Sequence, residues 1–208
     1  MDVQKKDLNA LFFIILFVGI QSCAYYIGKA FNINPTLINT KFDYNTPYIS
    51  YFAYFYIFWY LFILLVPFII YKKDKQNLYK YFTMIFIGSI MALITFIVFP
   101  TKIERVMPGN SISDKIVKIL YILDDPTCCM PSLHCLICFY IIFAIINTKD
   151  IKKYVKIIII IISICIILST LFIKQHVILD VVAALIISLA SYFIVYKKDI
   201  SYFKKIKL

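Results

Sequence analysis

The sequence predicts an all-α polytopic membrane protein: six transmembrane helices and a short amphipathic helix lying in the membrane interface. Three observations predict it. Of the 208 residues, 62% are hydrophobic, and the mean hydropathy is +0.87; soluble domains are roughly 45–50% apolar. Runs with few or no charges occur at 10–28, 48–71, 81–99, 132–147, 154–173 and 177–196, most of them close to the ~20 residues a helix needs to cross a bilayer. The basic residues are also distributed unevenly between alternate loops, which sets orientation. With both termini in the cytoplasm, the cytoplasmic segments hold Lys5, Lys6, Lys72, Lys73, Lys75, Lys80, Lys149, Lys152, Lys153, Lys156, Lys197, Lys198, Lys204, Lys205 and Lys207. The other side holds only Lys29, Lys41, Lys102, Arg105, Lys115, Lys118 and Lys174.

The first run follows Lys5 and Lys6 and contains Ile20-Gln21-Ser22-Cys23, a faint likeness to a lipoprotein processing site. Gln21 fits that pattern poorly and the apolar run continues to Ile27, so a retained helix is expected. An outside loop over 29–47 carries the breakers Asn34-Pro35 and Thr46-Pro47. The second run is dense in Tyr and Phe and holds the single tryptophan, Trp59. Such rings read first as lipid-facing and interfacial; the alternative is that some line a groove for a lipid. After the third run comes a long outside loop, Pro100 to Met130. In it Ile112, Ile116, Val117, Ile119, Leu120 and Leu123 recur at helical spacing between Ser113, Asp114, Lys115 and Lys118. That is the interfacial helix, either a structural cap or a guide for a lipid head group. The fourth run, 132–147, is short, so its helix is expected to start earlier or to sit tilted.

The net charge of +11 could suggest nucleic acid, but no soluble basic domain exists to carry it. The lysines gather at cytoplasmic helix ends, where anionic lipid head groups lie. Membrane lipids, not nucleic acid, are the expected partners. The sequence does not reveal the oligomeric state.

The only two histidines, His134 and His176, each open an apolar run on the outside face. Ionisable groups at the head of a membrane helix mark function. His134 closes Pro131-Ser132-Leu133-His134. Pro131 suits a first helical turn, so the amides that follow, together with the Ser132 hydroxyl, form an expected anion site. Asp180 stands four residues after His176, which would place the pair on one helix face, with Asp180 about 6 Å into the helix. A carboxylate on one imidazole nitrogen fixes the tautomer and activates the other nitrogen. Lys102, Arg105 and Lys174 supply cations for phosphate oxygens. Cys128, Cys129, Cys135 and Cys138 surround His134 but match no usual zinc spacing, so apolar packing is expected of them.

This combination resembles the type 2 phosphatidic acid phosphatase superfamily, a six-helix family of membrane phosphatases and phosphotransferases. Its signatures are Lys-x6-Arg-Pro, Pro-Ser-Gly-His and Ser-Arg-x5-His-x3-Asp, which correspond here to 98–106, 131–134 and 169–180. Arg105, Pro131, Ser132, His134, Ser169, His176 and Asp180 match; Val98, Val106, Leu133 and Thr170 depart. The Pro-Ser-Leu-His and Lys-Gln-His variants look like a branch that includes inositol phosphorylceramide synthase-like proteins, where Lys174 takes over from the arginine absent at Thr170.

The resemblance implies a single catalytic domain over 1–208, with its chemistry at loops and helix ends within 98–134 and 169–180. It implies that His176 attacks phosphorus, Asp180 orients it, and His134 protonates the leaving oxygen. Arg105, Lys174, Ser132 and Lys102 would hold the phosphate, with neither metal nor cofactor required. The expected activity is hydrolysis of a lipid phosphate or diphosphate at the extracytoplasmic face of the cell membrane. The alternative is transfer of a phospho-head-group to a lipid or polyol hydroxyl. A non-catalytic transporter or scaffold would instead spread ionisable residues through the membrane; here only Asp180 clearly falls within a run.

Overall fold

A computed structural model of the chain describes residues 2–197, with side chains from Leu8 onward. Lys198, Lys204, Lys205 and Lys207, counted above toward orientation, lie outside the described residues. Among the described residues the regular structure is all helical apart from two strands of two residues each. The apolar runs become α1 (Asp2–Ala30), α3 (Ala53–Lys73), α4 (Lys75–Val98), α6 (Leu133–Asn147), α7 (Lys153–Phe172) and α8 (Ile178–Tyr192). The amphipathic stretch becomes α5 (Ile112–Leu123), and the loop after α1 contains a one-turn helix, α2 (Lys41–Asn45). A π-helical turn, Phe193–Lys197, extends α8.

Among the described residues five helices are long and apolar enough to cross a membrane. The sixth, α6, is apolar but only 15 residues long, about 22 Å at 1.5 Å per residue. It is also the central helix. Leu136, Ile137, Tyr140, Ile141 and Ala144 are all buried, and α6 packs against α4, α7 and α8. A helix packed mostly against protein meets little lipid and need not match the bilayer thickness closely.

In a membrane the apolar effect does not press helices together, so close approach and polar contacts matter more. A Cβ at Gly28 would lie 2.6 Å from the Cβ of Phe96, which binds α1 closely to α4. Gly88 on α4 faces the Tyr140 hydroxyl so closely that no Cβ fits; that hydroxyl bonds Ser191 Oγ of α8 at 3.0 Å. At the end away from the histidines, Asn77 donates from Nδ2 to Ala144 O and Thr148 Oγ1, both at 2.7 Å, and accepts from the Tyr196 hydroxyl.

At the opposite end the loops are stitched together. Strand β1 (Thr36–Leu37) pairs in parallel with β2 (Thr101–Lys102), which joins the loop after α1 to the loop after α4. Helix α5 begins with a capping box, Ser111 with Asp114. Hydrogen bonds from Ser111 and Tyr48 pull the Asp114 carboxyl down to about 2. Val117 and Leu120 of α5 face inward while Ile112, Ile119, Ile122 and Leu123 are exposed.

Candidate active site

Sequence spacing placed His176 and Asp180 on one helix face. In the structure His176 lies before α8, in the turn Ile173–Val177, and Asp180 belongs to the first turn of the helix. The pairing survives because free amides at a helix start attract a carboxylate. Oδ2 of Asp180 accepts from the Val177 amide at 3.1 Å and lies 2.9 Å from His176 Nδ1. A carboxylate only accepts, so Nδ1 carries the hydrogen and Nε2 keeps its lone pair. Among the described residues, His176 Nε2 has no hydrogen-bond partner.

The start of α6 also differs from expectation. Pro131 precedes the helix, whose N-cap is Ser132. The Ser132 amide donates to the Asp180 carbonyl at 3.2 Å, and its hydroxyl accepts from the Cys135 amide at 3.3 Å. Ser132 therefore ties the start of α6 to the start of α8 rather than offering a free amide. This tie brings the histidines together: their ring centroids are 5.8 Å apart. His134 lies against Trp59 at 4.2 Å and Tyr56 at 4.6 Å. Both rings are buried, so these members of the aromatic-rich run face the site and not lipid.

The cations are not brought to this point. The Arg105 guanidinium donates to the carbonyls of Tyr121 and Asp124, at 3.2 and 2.7 Å, and lies 4.4 Å over the Tyr121 ring. Those carbonyls end α5 and have no partners within the helix, a ready position for a cation. Lys174 has φ 54°, and its ammonium donates to Asp43 O and Thr46 O at 2.6 and 2.5 Å. Burial lowers the Lys174 ammonium below its ordinary value, with Asp43 opposing. Lys102 is exposed on β2. At the position of the family arginine, Thr170 is buried; its carbonyl accepts the amides of Gln175 and His176, both at 3.0 Å.

Both histidines line a cavity of about 210 Å³. Four residues that sequence reasoning missed complete its polar wall. Asp124 accepts from the Tyr25 hydroxyl at 2.8 Å and from Gln175 Nε2 at 2.7 Å. Burial acts to raise the Asp124 carboxyl, but His134, His176, Gln175 and Tyr25 together outweigh it and leave the carboxyl lowered. Gln21 donates to the Leu133 carbonyl at 3.0 Å. Gln21 and Tyr25 are four apart on α1, a polar pair in an apolar run, and that was the available signal. Tyr56 Oη, Trp59 Nε1, Gln21 Oε1 and Gln175 Oε1 are buried atoms without partners among the described residues, and all four residues line the cavity. No lysine or arginine is among the described residues that line it.

One group here has metal-ligand geometry: atoms of Cys129, His176 and Asp180 lie within 4.8 Å of one another. Burial, with Asp180 adding to it, pushes the Cys129 thiol well above its ordinary value. The other cysteines near His134 are buried and free.

The structure is a helical bundle of the membrane type in which an Asp-held histidine and a second histidine line one cavity. The chain belongs to the PAP2 superfamily, the type 2 phosphatidic acid phosphatases and their relatives: the family model matches residues 27–194. No curated protein matches the chain, and no solved structure does.

Proposed function

We propose that this protein is an integral membrane enzyme that cleaves a phosphate ester or anhydride of a lipid through a phosphohistidine on His176. One observation carries the reading: the free Nε2 of His176, backed by Asp180 on Nδ1, shares a cavity with His134 whose ring is 5.8 Å away. Nε2 attacks phosphorus as the bond to the lipid oxygen breaks, and His134 gives that oxygen a proton. Asp180 balances the charge that develops on the His176 ring. His134 then takes a proton from the acceptor, whose oxygen displaces Nε2 from phosphorus.

The phosphate is held by neutral donors in this scheme, the Tyr56 hydroxyl and the Trp59 indole N–H. Arg105, Lys174 and Ser132 fix the loops that carry the site, and Lys102 lends charge at its rim. All six apolar helices cross the membrane, α5 lies in the interface, both termini are cytoplasmic and the site is extracytoplasmic on the cell membrane.

Water as acceptor makes the enzyme a lipid phosphatase. A hydroxyl acceptor makes it a phosphotransferase, as in the inositol phosphorylceramide synthase-like branch. The apolar side chains in the cavity wall, Val18, Leu120, Leu123 and Leu133, favour entry of a lipid alcohol and support this second reading. The test is purified protein in lipid nanodiscs given a panel of radiolabelled phospholipids, lipid phosphates and polyprenyl diphosphates. Phosphate release marks hydrolysis, and a new labelled lipid marks transfer. An acid-labile, alkali-stable phosphoenzyme that vanishes in His176→Ala is the expected intermediate; label retained in His176→Ala would sink the mechanism.

A further inference from the structure

We infer that Cys129, His176 and Asp180 form a binding site for one thiophilic divalent cation, of which zinc is the type, and that the bound ion silences the nucleophile. The site itself stands on geometry; only the loss of activity rests on the phosphohistidine reading. One donor atom from each of the three residues lies within 4.8 Å of the other two. Zinc ligands sit about 2.0–2.3 Å from the ion and so roughly 3.3–3.8 Å from each other. The widest gap here therefore has to close by at most roughly 1.5 Å. Thiolate sulfur, imidazole nitrogen and carboxylate oxygen are the donors that zinc takes, and water completes the tetrahedron.

Two orphan atoms point to a ligand here. Asp180 is 0% exposed, and its Oδ1 has no hydrogen-bond partner among the described residues, while Oδ2 takes the Val177 amide and His176 Nδ1. His176, 8% exposed, has an unpartnered Nε2. A buried carboxylate oxygen without a partner is costly, and a cation satisfies it. Cys129 is presented to this pair on a fixed turn: Thr101 Oγ1 accepts the amides of Cys129 and Met130, both at 3.2 Å. Around the thiol, Ile38, Ile103 and Val177 form a small apolar cluster, which keeps water from competing with sulfur. The ion arrives through the cavity, which Cys129 and His176 both line. Its wall carries Asp124 and Asp125 and, among the described residues, no lysine or arginine to repel a cation.

Binding exchanges one proton for the ion. The sulfur–metal bond forms as the Cys129 thiol gives its proton to solvent, and neither metal nor sulfur changes oxidation state. Whichever nitrogen of His176 the ion takes, Nε2 stops being a nucleophile. At Nε2 the ion occupies the lone pair that would attack phosphorus. At Nδ1 it displaces the hydrogen, and a neutral imidazole then carries that hydrogen on Nε2. In both cases Asp180 is drawn to the ion. Metal and phosphoryl group thus exclude each other, and removal of the ion restores the enzyme.

Cobalt(II) reports such a site without any substrate, because a cobalt–thiolate bond gives a charge-transfer band in the near ultraviolet. Full-length protein in detergent, free of any polyhistidine tag and stripped with a chelator, is titrated with Co²⁺, and Zn²⁺ is then added in competition. We expect one cobalt per chain, with the thiolate band, displaced by zinc. Losing a group that only orients a metal ligand costs about 10- to 100-fold in affinity, so losing a ligand should cost at least that. Cys129→Ser and Cys129→Ala should each lose the band, and His176→Ala should weaken cobalt by about tenfold or more while Cys129 is still present. Cys128→Ser, next to the site in the chain, should keep both band and affinity. A band that survives both Cys129 variants, or wild-type affinity in His176→Ala, would overturn the site. In the activity arm, Zn²⁺ should inhibit the wild type and a chelator should restore it. Cys129→Ser should turn over as the metal-free wild type does and need about tenfold or more Zn²⁺ for the same inhibition. Metal-saturated wild type that works at the metal-free rate refutes the silencing. Cobalt bound as expected, in a protein whose His176→Ala variant still turns over substrate, refutes the phosphohistidine and leaves the metal site standing.

Discussion

Gln175 donates from Nε2 to Oδ2 of Asp124 at 2.7 Å, and this bond links the turn that carries His176 to the loop that follows α5. The two residues are 51 apart in the chain. Gln175 sits next to the proposed nucleophile and is almost fully buried, 1% exposed. Its side chain therefore positions the His176 turn as well as the Asp124 carboxylate.

Gln175→Leu removes that donor while keeping the volume. A hydrogen bond to a charged group is worth about 1.5–3 kcal/mol, so the melting temperature should fall by several degrees. The rate should fall as well, through kcat more than KM, because the His176 turn loses its anchor. A thermal melt in detergent and steady-state kinetics on the same preparation check both. A loss of KM alone would show that Gln175 contacts substrate instead.

The pH response of Asp124 has a definite sign. Its carboxyl is lowered in the folded state, from an unfolded value of about 3.9. Such a group stabilises the fold fully above the unfolded value and loses that contribution as pH falls through the folded one. The difference in melting temperature between wild type and Asp124→Asn should therefore be constant from about pH 5 to pH 8 and shrink only below about pH 4. A difference that changes across neutral pH would assign the effect to another group.

At the chemical centre the variants separate by role. His176→Ala should be inactive. Asp180→Asn still accepts the Val177 amide, so it should fold, yet lose about 10³- to 10⁴-fold in kcat by analogy with the same change beside a catalytic histidine. His134→Ala should be partly rescued by a substrate with an acidic leaving group, which needs no proton. Comparing a nitrophenyl ester with a natural alkyl ester measures the rescue; equal loss on both would remove His134 from the role of acid.

How much of this was legible depended on whether a residue acts through local spacing or through long-range contact. The apolar runs announce their helices because hydropathy is a property of each segment. His134, His176 and Asp180 stand out because ionisable groups are costly at a membrane helix end. Arg105 and Lys174 were visible as charges outside the bundle, but not their bonds to carbonyls, since free acceptors at the end of α5 and in Asp43–Thr46 exist only once those turns form. Tyr56 and Trp59 look like any interfacial aromatics until α3 crosses the head of α6. Tyr25 and Asp124 meet across 99 residues, a pairing that no periodicity encodes.

Gly88 tests the packing rather than the chemistry. Gly88→Ala drives a methyl into the Tyr140 hydroxyl and should destabilise by about 1–3 kcal/mol, the usual cost of overpacking. Tyr140→Phe alone loses the bond to Ser191, worth about 0.6–2 kcal/mol within a membrane bundle. The double variant should be more stable than the sum of the two losses predicts, because the clash and the hydroxyl disappear together. Strict additivity in unfolding measurements would mean that α4 and α6 separate to relieve the contact.

Sidedness is the last test, and it bears on every claim about access to the site. The described ends of the chain lie at the same end of the bundle as the turn between α3 and α4, because α1 runs parallel to α4, with Phe17 stacked on Phe82 at 4.3 Å and Gly28 against Phe96, and because Tyr196 bonds Asn77 at the start of α4. The histidines are at the other end. The proposed orientation, which rests on the lysine excess of the first end, makes that end cytoplasmic. In a cysteine-light background, Asn110→Cys and Asn45→Cys, both at exposed positions in the loops at the histidine end, should react with an impermeant maleimide on intact cells. Gln76→Cys, exposed at the start of α4, should react only after lysis. If Gln76→Cys labels first and the other two are protected, the bundle is inverted, the cavity takes its lipid from the cytoplasmic leaflet, and the extracytoplasmic site is wrong although the histidine chemistry is untouched.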